Sequence, residues 1–141
     1  SRLYKEVREK SGLVYSIYSY LVPYQNDGVI VGGFQTRNET VNETIAKVKE
    51  QWERIKNEGI NQRELRDAQT YYKGSFSRNF TSTISLASLL KIVQYYELCN
   101  DYFKKRSEII DNLKVKNIND LAAKLFEKND LFFMIVGKPD I

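Results

Sequence analysis

The sequence of 141 residues contains no histidine. This absence excludes Ser-His and Cys-His nucleophilic catalysis and every zinc site that needs an imidazole ligand. A single cysteine, Cys99, excludes an internal disulfide and a thiolate metal site, and its apolar helical surroundings predict a core position. No apolar run approaches the roughly 18 residues of a membrane span, and no signal peptide is visible. These observations leave the cellular compartment undetermined.

The charge balance is mildly basic. Lysine and arginine number 22 against 18 acidic residues, a net charge of +4 that is spread along the chain. Such a balance favours solubility and gives little support to a nucleic-acid partner. The tyrosine pairs Tyr71-Tyr72 and Tyr95-Tyr96 lie in helical patterns, where they favour helix packing over base stacking. We therefore expect no nucleic-acid partner. The length fits one domain.

The first fifteen residues predict the end of a helix, a glycine break and the start of a strand. Leu3 and Val7 are spaced for one helix face, and Gly12 is predicted to end the helix in a left-handed conformation. This turn can bring Arg8 and Tyr15 over one patch of sheet. A guanidinium and a phenol together could bind a peptide carbonyl or the oxyanion formed from it. The alternative is a locally capping or ion-paired Arg8 and a half-buried strand tyrosine.

A hairpin is predicted next. Residues 13–22 and 29–36 are rich in strand-forming residues, and Asp27-Gly28 marks the turn between them. Gly32-Gly33 inside the second strand predicts a bulge or a close approach by another backbone. Two interpretations stay open for this pair: a bend in the sheet, or an edge that pairs with an extended substrate.

Helices dominate the rest of the chain. Capping boxes are predicted at Thr40–Glu43, Asn61–Glu64 and Asn117–Asp120. Ser82 or Thr83 opens an apolar helix that we expect to be the most buried one. A further helix is predicted over 105–113, and a continuous apolar run at 131–136 predicts a closing strand. The order indicates an α+β fold, a mainly antiparallel sheet with helices packed on one face.

The opening string, Ser-Arg-Leu-Tyr-Lys-Glu-Val-Arg-Glu-Lys-Ser-Gly-Leu-Val-Tyr-Ser, resembles a segment of the pitrilysin/insulinase-type zinc metallopeptidases. This family includes the mitochondrial processing peptidases. The resemblance is to the second homologous domain, which binds no zinc, and to its pattern Ser-Arg-Leu…Leu-Arg-Glu-Lys-x-Gly-Leu-x-Tyr, with Val7 at the usual leucine. A weaker likeness extends to the closing Val-Gly-Lys-Pro. Residues 1–141 would then be one partial C-terminal domain, truncated at its N-terminus, because the chain begins inside an uncapped helix.

The resemblance implies a mechanism. A sister domain or subunit carrying His-x-x-Glu-His would hold Zn²⁺, and a peptide substrate would lie between the two domains. Tyr15 would stabilise the tetrahedral intermediate and Arg8 would position the substrate. This chain would bind no metal and would be inactive alone, as part of a zinc metalloendopeptidase.

A second function stays open, because some members of the family have lost zinc in every domain. The chain could therefore belong to an inactive structural or assembly subunit. Exposed sheet edges in a truncated domain also predict self-association.

Overall fold

The computed structural model describes residues 1–99, 101–127 and 131–140. The chain forms an N-terminal π-helix, a two-stranded hairpin and then a series of helices. In order, the elements are the π-helix Tyr4–Lys10, β1 Val14–Pro23, β2 Gly28–Thr36, α1 Val41–Glu58, α2 Gln62–Ser75, α3 Thr83–Tyr95, α4 Tyr102–Asp111 and α5 Val115–Glu127. Short 3₁₀ segments at Asn38–Thr40 and Phe76–Phe80 precede α1 and α3. The predicted α+β class is confirmed.

The predicted antiparallel hairpin is also confirmed. β1 and β2 pair from Val14 opposite Thr36 to Pro23 opposite Gly28. Asp27 closes the turn, since its carbonyl accepts from Tyr24 N at 2.7 Å and its carboxylate accepts from Gly28 N at 2.7 Å. Within the described ranges the sheet has these two strands.

The pairing is irregular at one point, and that point is not the glycine pair. Ser16 lies opposite Gln35 while Val14 lies opposite Thr36, so the register shifts and Tyr15 is an extra residue. Gly32-Gly33 was predicted to mark either a bulge or a close approach by another backbone. The bulge is not there, but a Cβ at Gly32 would lie 3.0 Å from the backbone carbonyl oxygen of Tyr18, which is a close backbone approach. Gly33 instead accommodates an aromatic ring, because a Cβ there would lie 2.6 Å from the Tyr18 hydroxyl oxygen.

Two compact units divide the chain: Ser1–Gly59 with Ala122–Ile141, and Ile60–Leu121. The core of the first unit is Val7, Val14 and Ile17, and partly buried residues pack around it: Leu3, Tyr4, Leu13, Phe34 and Val48. The π-helix and α1 therefore pack on one face of the hairpin. Residues three apart on a regular strand point to opposite faces. The bulge at Tyr15 is what lets Val14 and Ile17 share one face.

The second unit is built on α2 and α4. Asn61 caps α2 through the predicted capping box, which is confirmed in both directions by bonds with Glu64. The Gln69 amide donates to the carbonyl of Ile110 at 2.8 Å, near the end of α4. Asn119 binds the backbone of Ile60 twice, through Ile60 N at 2.8 Å and Ile60 O at 3.2 Å.

Several sequence predictions about the helices are wrong. Thr40 makes no side-chain cap on α1, because its hydroxyl bonds Thr36 and the carbonyl of Arg37. α5 begins at Val115, before the predicted cap Asn117. α4 begins and ends earlier than predicted.

Burial is also mispredicted at two places. α3 contains no buried residue, and Ile84 is 78% exposed. An apolar sequence shows that a helix is suited to burial, but the helix is buried only where another element packs against it. Cys99, predicted as a core residue, is exposed.

The predicted closing strand is wrong as well. Residues 131–136 form no regular element. Two contacts join the last described residues to α1: Asn42 donates to the Asp140 carbonyl at 2.8 Å, and Lys49 lies over the Phe133 ring. An apolar run forms a strand only where a ladder partner lies beside it. Among the described residues, no helix is both long enough and apolar enough to cross a membrane.

Candidate functional site

Arg8 lies in the last turn of the π-helix, where Tyr4 supports it. The guanidinium carbon is 4.8 Å from the centroid of the Tyr4 ring. Arg8 Nη1 also donates a hydrogen bond to the Tyr4 hydroxyl. The Tyr4 ring is half-buried against the core of Val7, Val14 and Ile17. A half-buried aromatic ring therefore contacts an exposed cation.

The charge of Arg8 is not neutralised by a neighbour. In the part of the chain that the structure describes, Arg8 makes no ion pair. The nearby carboxylate of Glu6 instead pairs with Lys10 at 2.8 Å. The hydrogen bond from Lys10 lowers the pKa of Glu6 below its ordinary value. Arg8 therefore contacts Tyr4 instead of forming the alternative ion pair, and the residue is exposed.

Gly12 connects the π-helix to β1. Its φ of 62° is the left-handed conformation predicted for it. Gly12 N donates to Arg8 O at 3.2 Å, and Leu13 N donates to Val7 O at 3.2 Å. An added Cβ at Gly12 would meet nothing within 4 Å. The backbone conformation, rather than lack of space, is therefore what selects glycine here.

Tyr15 is the extra residue of the bulge, and its side chain is 73% exposed. Among the described residues its hydroxyl has no hydrogen-bond partner. Bulges commonly redirect a side chain next to a functional site. The predicted alternative of a half-buried strand tyrosine does not hold, because the side chain is exposed and its phenolic O–H is available to a ligand.

A chain of threonine hydroxyls fixes the backbone just before Tyr15. Thr36 Oγ1 lies 2.6 Å from Leu13 O, to which it donates, and 2.7 Å from Thr40 Oγ1. The fully buried Thr44 donates to Thr40 O at 2.7 Å. These bonds join the start of β1 to the end of β2 and the start of α1. The segment that carries Tyr15 is thereby anchored in the first unit.

Arg8 and Tyr15, the two residues that sequence analysis selected, lie on either side of the Gly12 turn. Both are exposed, and neither bonds the other. The contact between Tyr4 and Arg8 was not predicted from the sequence. The four-residue spacing of Tyr4 and Arg8 on a helix was the pattern that could have revealed it.

The part of the chain that the structure describes brings no cluster of metal-ligating side chains to these residues. The sequence has no histidine, and in the described ranges no three Cys, Asp or Glu side chains converge to hold a metal. The residues present therefore do not fit a zinc ion. The second unit has a cavity of about 180 Å³. Its lining has no carboxylate, amine or thiol: Ile60, Leu65, Ala68, Gln69, Tyr72, Ile110, Leu113 and Ile118.

Residues 1–72, which include the π-helix, the hairpin and both candidate residues, match the family model described as the peptidase M16 inactive domain. The chain belongs to the M16 peptidase family. It corresponds to the inactive, C-terminal domain, as the resemblance of the opening segment implied.

Relatives of this M16 domain carry two kinds of name. An "uncharacterized zinc protease YmxG" of Bacillus subtilis is 35% identical over 139 residues, covering 92% of this chain and 32% of the relative. A "non-peptidase homolog YmxG" of Helicobacter pylori is 31% identical over 138 residues, covering 97% and 32%. The chain thus spans about a third of the length of these relatives.

A solved structure supports the fold. The crystal structure of a peptidase M16 inactive domain from Pseudomonas fluorescens aligns with a TM-score of 0.77 and 30% identity. The alignment covers 88% of this M16 domain and 29% of that chain.

Proposed function

We propose that this M16 inactive domain is the substrate-contacting, non-zinc-binding domain of a zinc metallopeptidase. The observation that carries the proposal is the exposed hydroxyl of Tyr15, on a bulge with no hydrogen-bond partner among the described residues. The unneutralised Arg8 guanidinium, seven residues earlier, supports it. Membership of a peptidase family makes peptide the expected ligand.

Each side chain has a defined chemical role in this proposal. As the scissile carbonyl is attacked, negative charge develops on its oxygen, and the Tyr15 O–H donates to it. A positioned donor of this kind is worth on the order of 10²-fold in rate. Arg8 binds a carbonyl or carboxylate of the peptide through charge-assisted hydrogen bonds. Tyr15 therefore acts mainly in the transition state, and Arg8 mainly in binding.

The metal belongs to another part of the assembly. Because this chain lacks a fitting ligand set, the proposal assigns Zn²⁺ to a homologous domain or subunit that carries His-x-x-Glu-His. Residues 1–141 act as one C-terminal homologous domain that pairs with it, and are inactive by themselves. We call this chain together with its zinc-holding partner domain or subunit the assembled protein.

The test compares variants of the assembled protein in a peptidase assay with bound zinc measured in each. We expect Tyr15→Phe to lower kcat on the order of 10²-fold with little change in KM. Arg8→Ala should raise KM by roughly 10- to 100-fold, the loss of a charge-assisted hydrogen bond. Both variants should keep the wild-type zinc content.

Matched controls come from the same elements. Tyr20→Phe removes the hydroxyl of another exposed tyrosine on β1, and Lys5→Ala removes another exposed cation on the π-helix. Both should leave kcat and KM unchanged. If Tyr15→Phe and Arg8→Ala differ no more from wild type than these controls do, the proposal is wrong.

A second candidate function is an inactive structural or assembly subunit of the same family. The name "non-peptidase homolog" of the Helicobacter pylori relative favours it, and so does the exposed apolar surface of α3. Under this function the assembled protein would contain no zinc, would cleave no peptide, and would retain its partner when Arg8 and Tyr15 are replaced. Zinc analysis together with the partner's sequence around His-x-x-Glu-His separates the two functions.

A further inference from the structure

Arg8 is the only arginine on the π-helix, and its position depends on one neighbour. Its guanidinium lies 4.8 Å from the Tyr4 ring centroid, and its Nη1 donates to the Tyr4 hydroxyl. Two different interactions therefore join the same pair of side chains. An exposed arginine without such contacts would sample many rotamers.

Tyr4 is itself fixed. Its ring packs against the core of Val7, Val14 and Ile17, and its backbone N donates to Ser1 Oγ at 3.3 Å. A cation over an aromatic face is attracted by the negative face of the ring. Because Tyr4 is held by the core, its ring restricts the conformation of the otherwise solvent-exposed Arg8 side chain.

The contact also divides the donors of Arg8. Nη1 is directed to the Tyr4 hydroxyl, whereas Nε and Nη2 make no hydrogen bond within the described residues. Nε and Nη2 form one of the two planar forks by which arginine binds an oxygen pair. Tyr4 therefore leaves one fork open and holds it in a defined direction.

We propose that Tyr4 is the positioning residue that pre-orients the Arg8 guanidinium for the peptide. The inference rests on the proposed function, in which Arg8 contacts substrate. Tyr4 itself does not contact the peptide. Its effect on binding passes entirely through Arg8, so Tyr4 should have no influence once Arg8 is gone.

The kinetic test is a double-mutant cycle in the assembled protein, with casein, a largely unfolded protein, as the substrate. Tyr4→Leu keeps an apolar side chain but removes both the ring and the hydroxyl, and should raise KM about 5-fold with kcat within about 2-fold. Tyr4→Phe keeps the ring and should raise KM by about 2-fold. Arg8→Ala with Tyr4→Leu should match Arg8→Ala alone.

A second readout does not depend on turnover. In the assembled protein labelled with ¹⁵N-arginine, the Arg8 side-chain resonances should show the upfield ring-current shift of a group over an aromatic face. In Tyr4→Leu this shift should vanish and the Nε–H order parameter should fall. Arg106, which lies 4.2 Å from the Phe76 centroid, is the internal control and should not change.

The outcomes separate the inference from the proposed function. If Arg8→Ala leaves KM unchanged, the proposed role of Arg8 is wrong, and the inference falls with it. If Arg8→Ala raises KM but Tyr4→Leu matches wild type in KM and in the Arg8 resonances, only the inference is overturned. If Tyr4→Leu lowers the melting temperature, its KM is set aside, and the KM of Tyr4→Phe and the Arg8 resonances test the inference instead. A wild-type KM in Tyr4→Phe together with unchanged Arg8 resonances in Tyr4→Leu would overturn it. An additive double mutant also overturns the inference.

Discussion

Asn119 is the residue whose replacement most directly tests how the second unit is held together. Its side chain is the only described group that bonds both the N–H and the C=O of Ile60, at 2.8 Å and 3.2 Å. Ile60 lies between α1 and α2, and Asn119 lies in α5. We therefore expect Asn119→Ala to release the segment that precedes the capping residue of α2.

The size of the effect follows from the bonds lost. Each hydrogen bond contributes a net ~1 kcal/mol. Both residues are half-buried, so water can partly replace the lost partners. We expect Asn119→Ala to lower the free energy of unfolding by about 2 kcal/mol. Asn57 is exposed on α1, and its side chain has no hydrogen bond among the described residues. Asn57→Ala should therefore change stability by less than about 0.5 kcal/mol.

Urea unfolding followed by circular dichroism measures both variants. With a slope of about 1–3 kcal/mol per molar urea, the Asn119→Ala midpoint should fall by roughly 1 M at unchanged slope. A midpoint equal to that of Asn57→Ala would refute the reasoning. It would mean that water satisfies Ile60 as well as the amide does.

Three further predictions concern the first unit. Thr36→Val removes the donor to Leu13 O and should cost about 1–2 kcal/mol in urea unfolding, whereas Thr36→Ser should restore most of it. Gln51 is buried, and its Oε1 has no hydrogen-bond partner in the described structure. Gln51→Met should therefore raise the melting temperature or leave it unchanged, and a clear fall would contradict the burial of an unpaired oxygen. Lys10→Ala should move the pKa of Glu6 upward, toward its ordinary value, in a carboxyl NMR titration. Because that pKa is lowered in the folded state, the pair stabilises above the ordinary carboxyl pKa and loses its effect as pH falls through the lowered value. An unchanged Glu6 titration would contradict the hydrogen bond.

Local chemistry made part of the fold predictable. Gly12, the Asp27-Gly28 turn and the Asn61–Glu64 capping box each depend on residues within a few positions of one another, and all three are confirmed. Thr40 is also a residue type that commonly caps helices. Its hydroxyl instead hydrogen-bonds Thr36, a residue on another element, and a local sequence pattern cannot predict such a competing partner.

Non-local partners explain the remaining errors. The apolar run at 131–136 had the composition of a strand but lacks a partner strand among the described residues. Likewise, no described element packs on α3 closely enough to bury any of its residues. At the candidate site, the resemblance selected Arg8 and Tyr15. Their surroundings were not predictable, because the bulge depends on cross-strand register. The contact of the Tyr4 ring with Arg8 was not predicted either, and only the packed structure shows it.

The bulge has a consequence for changes in chain length. If Tyr15 is deleted, Val14, Ser16 and Ile17 face Thr36, Gln35 and Phe34 in unbroken alternation. The hairpin therefore has one residue more than its ladder requires. Shortening β1 at this point preserves the buried side, whereas removing Ser19 would turn every later side chain to the opposite face. A one-residue deletion at position 15 thus removes the Tyr15 side chain while the buried face of the hairpin is kept.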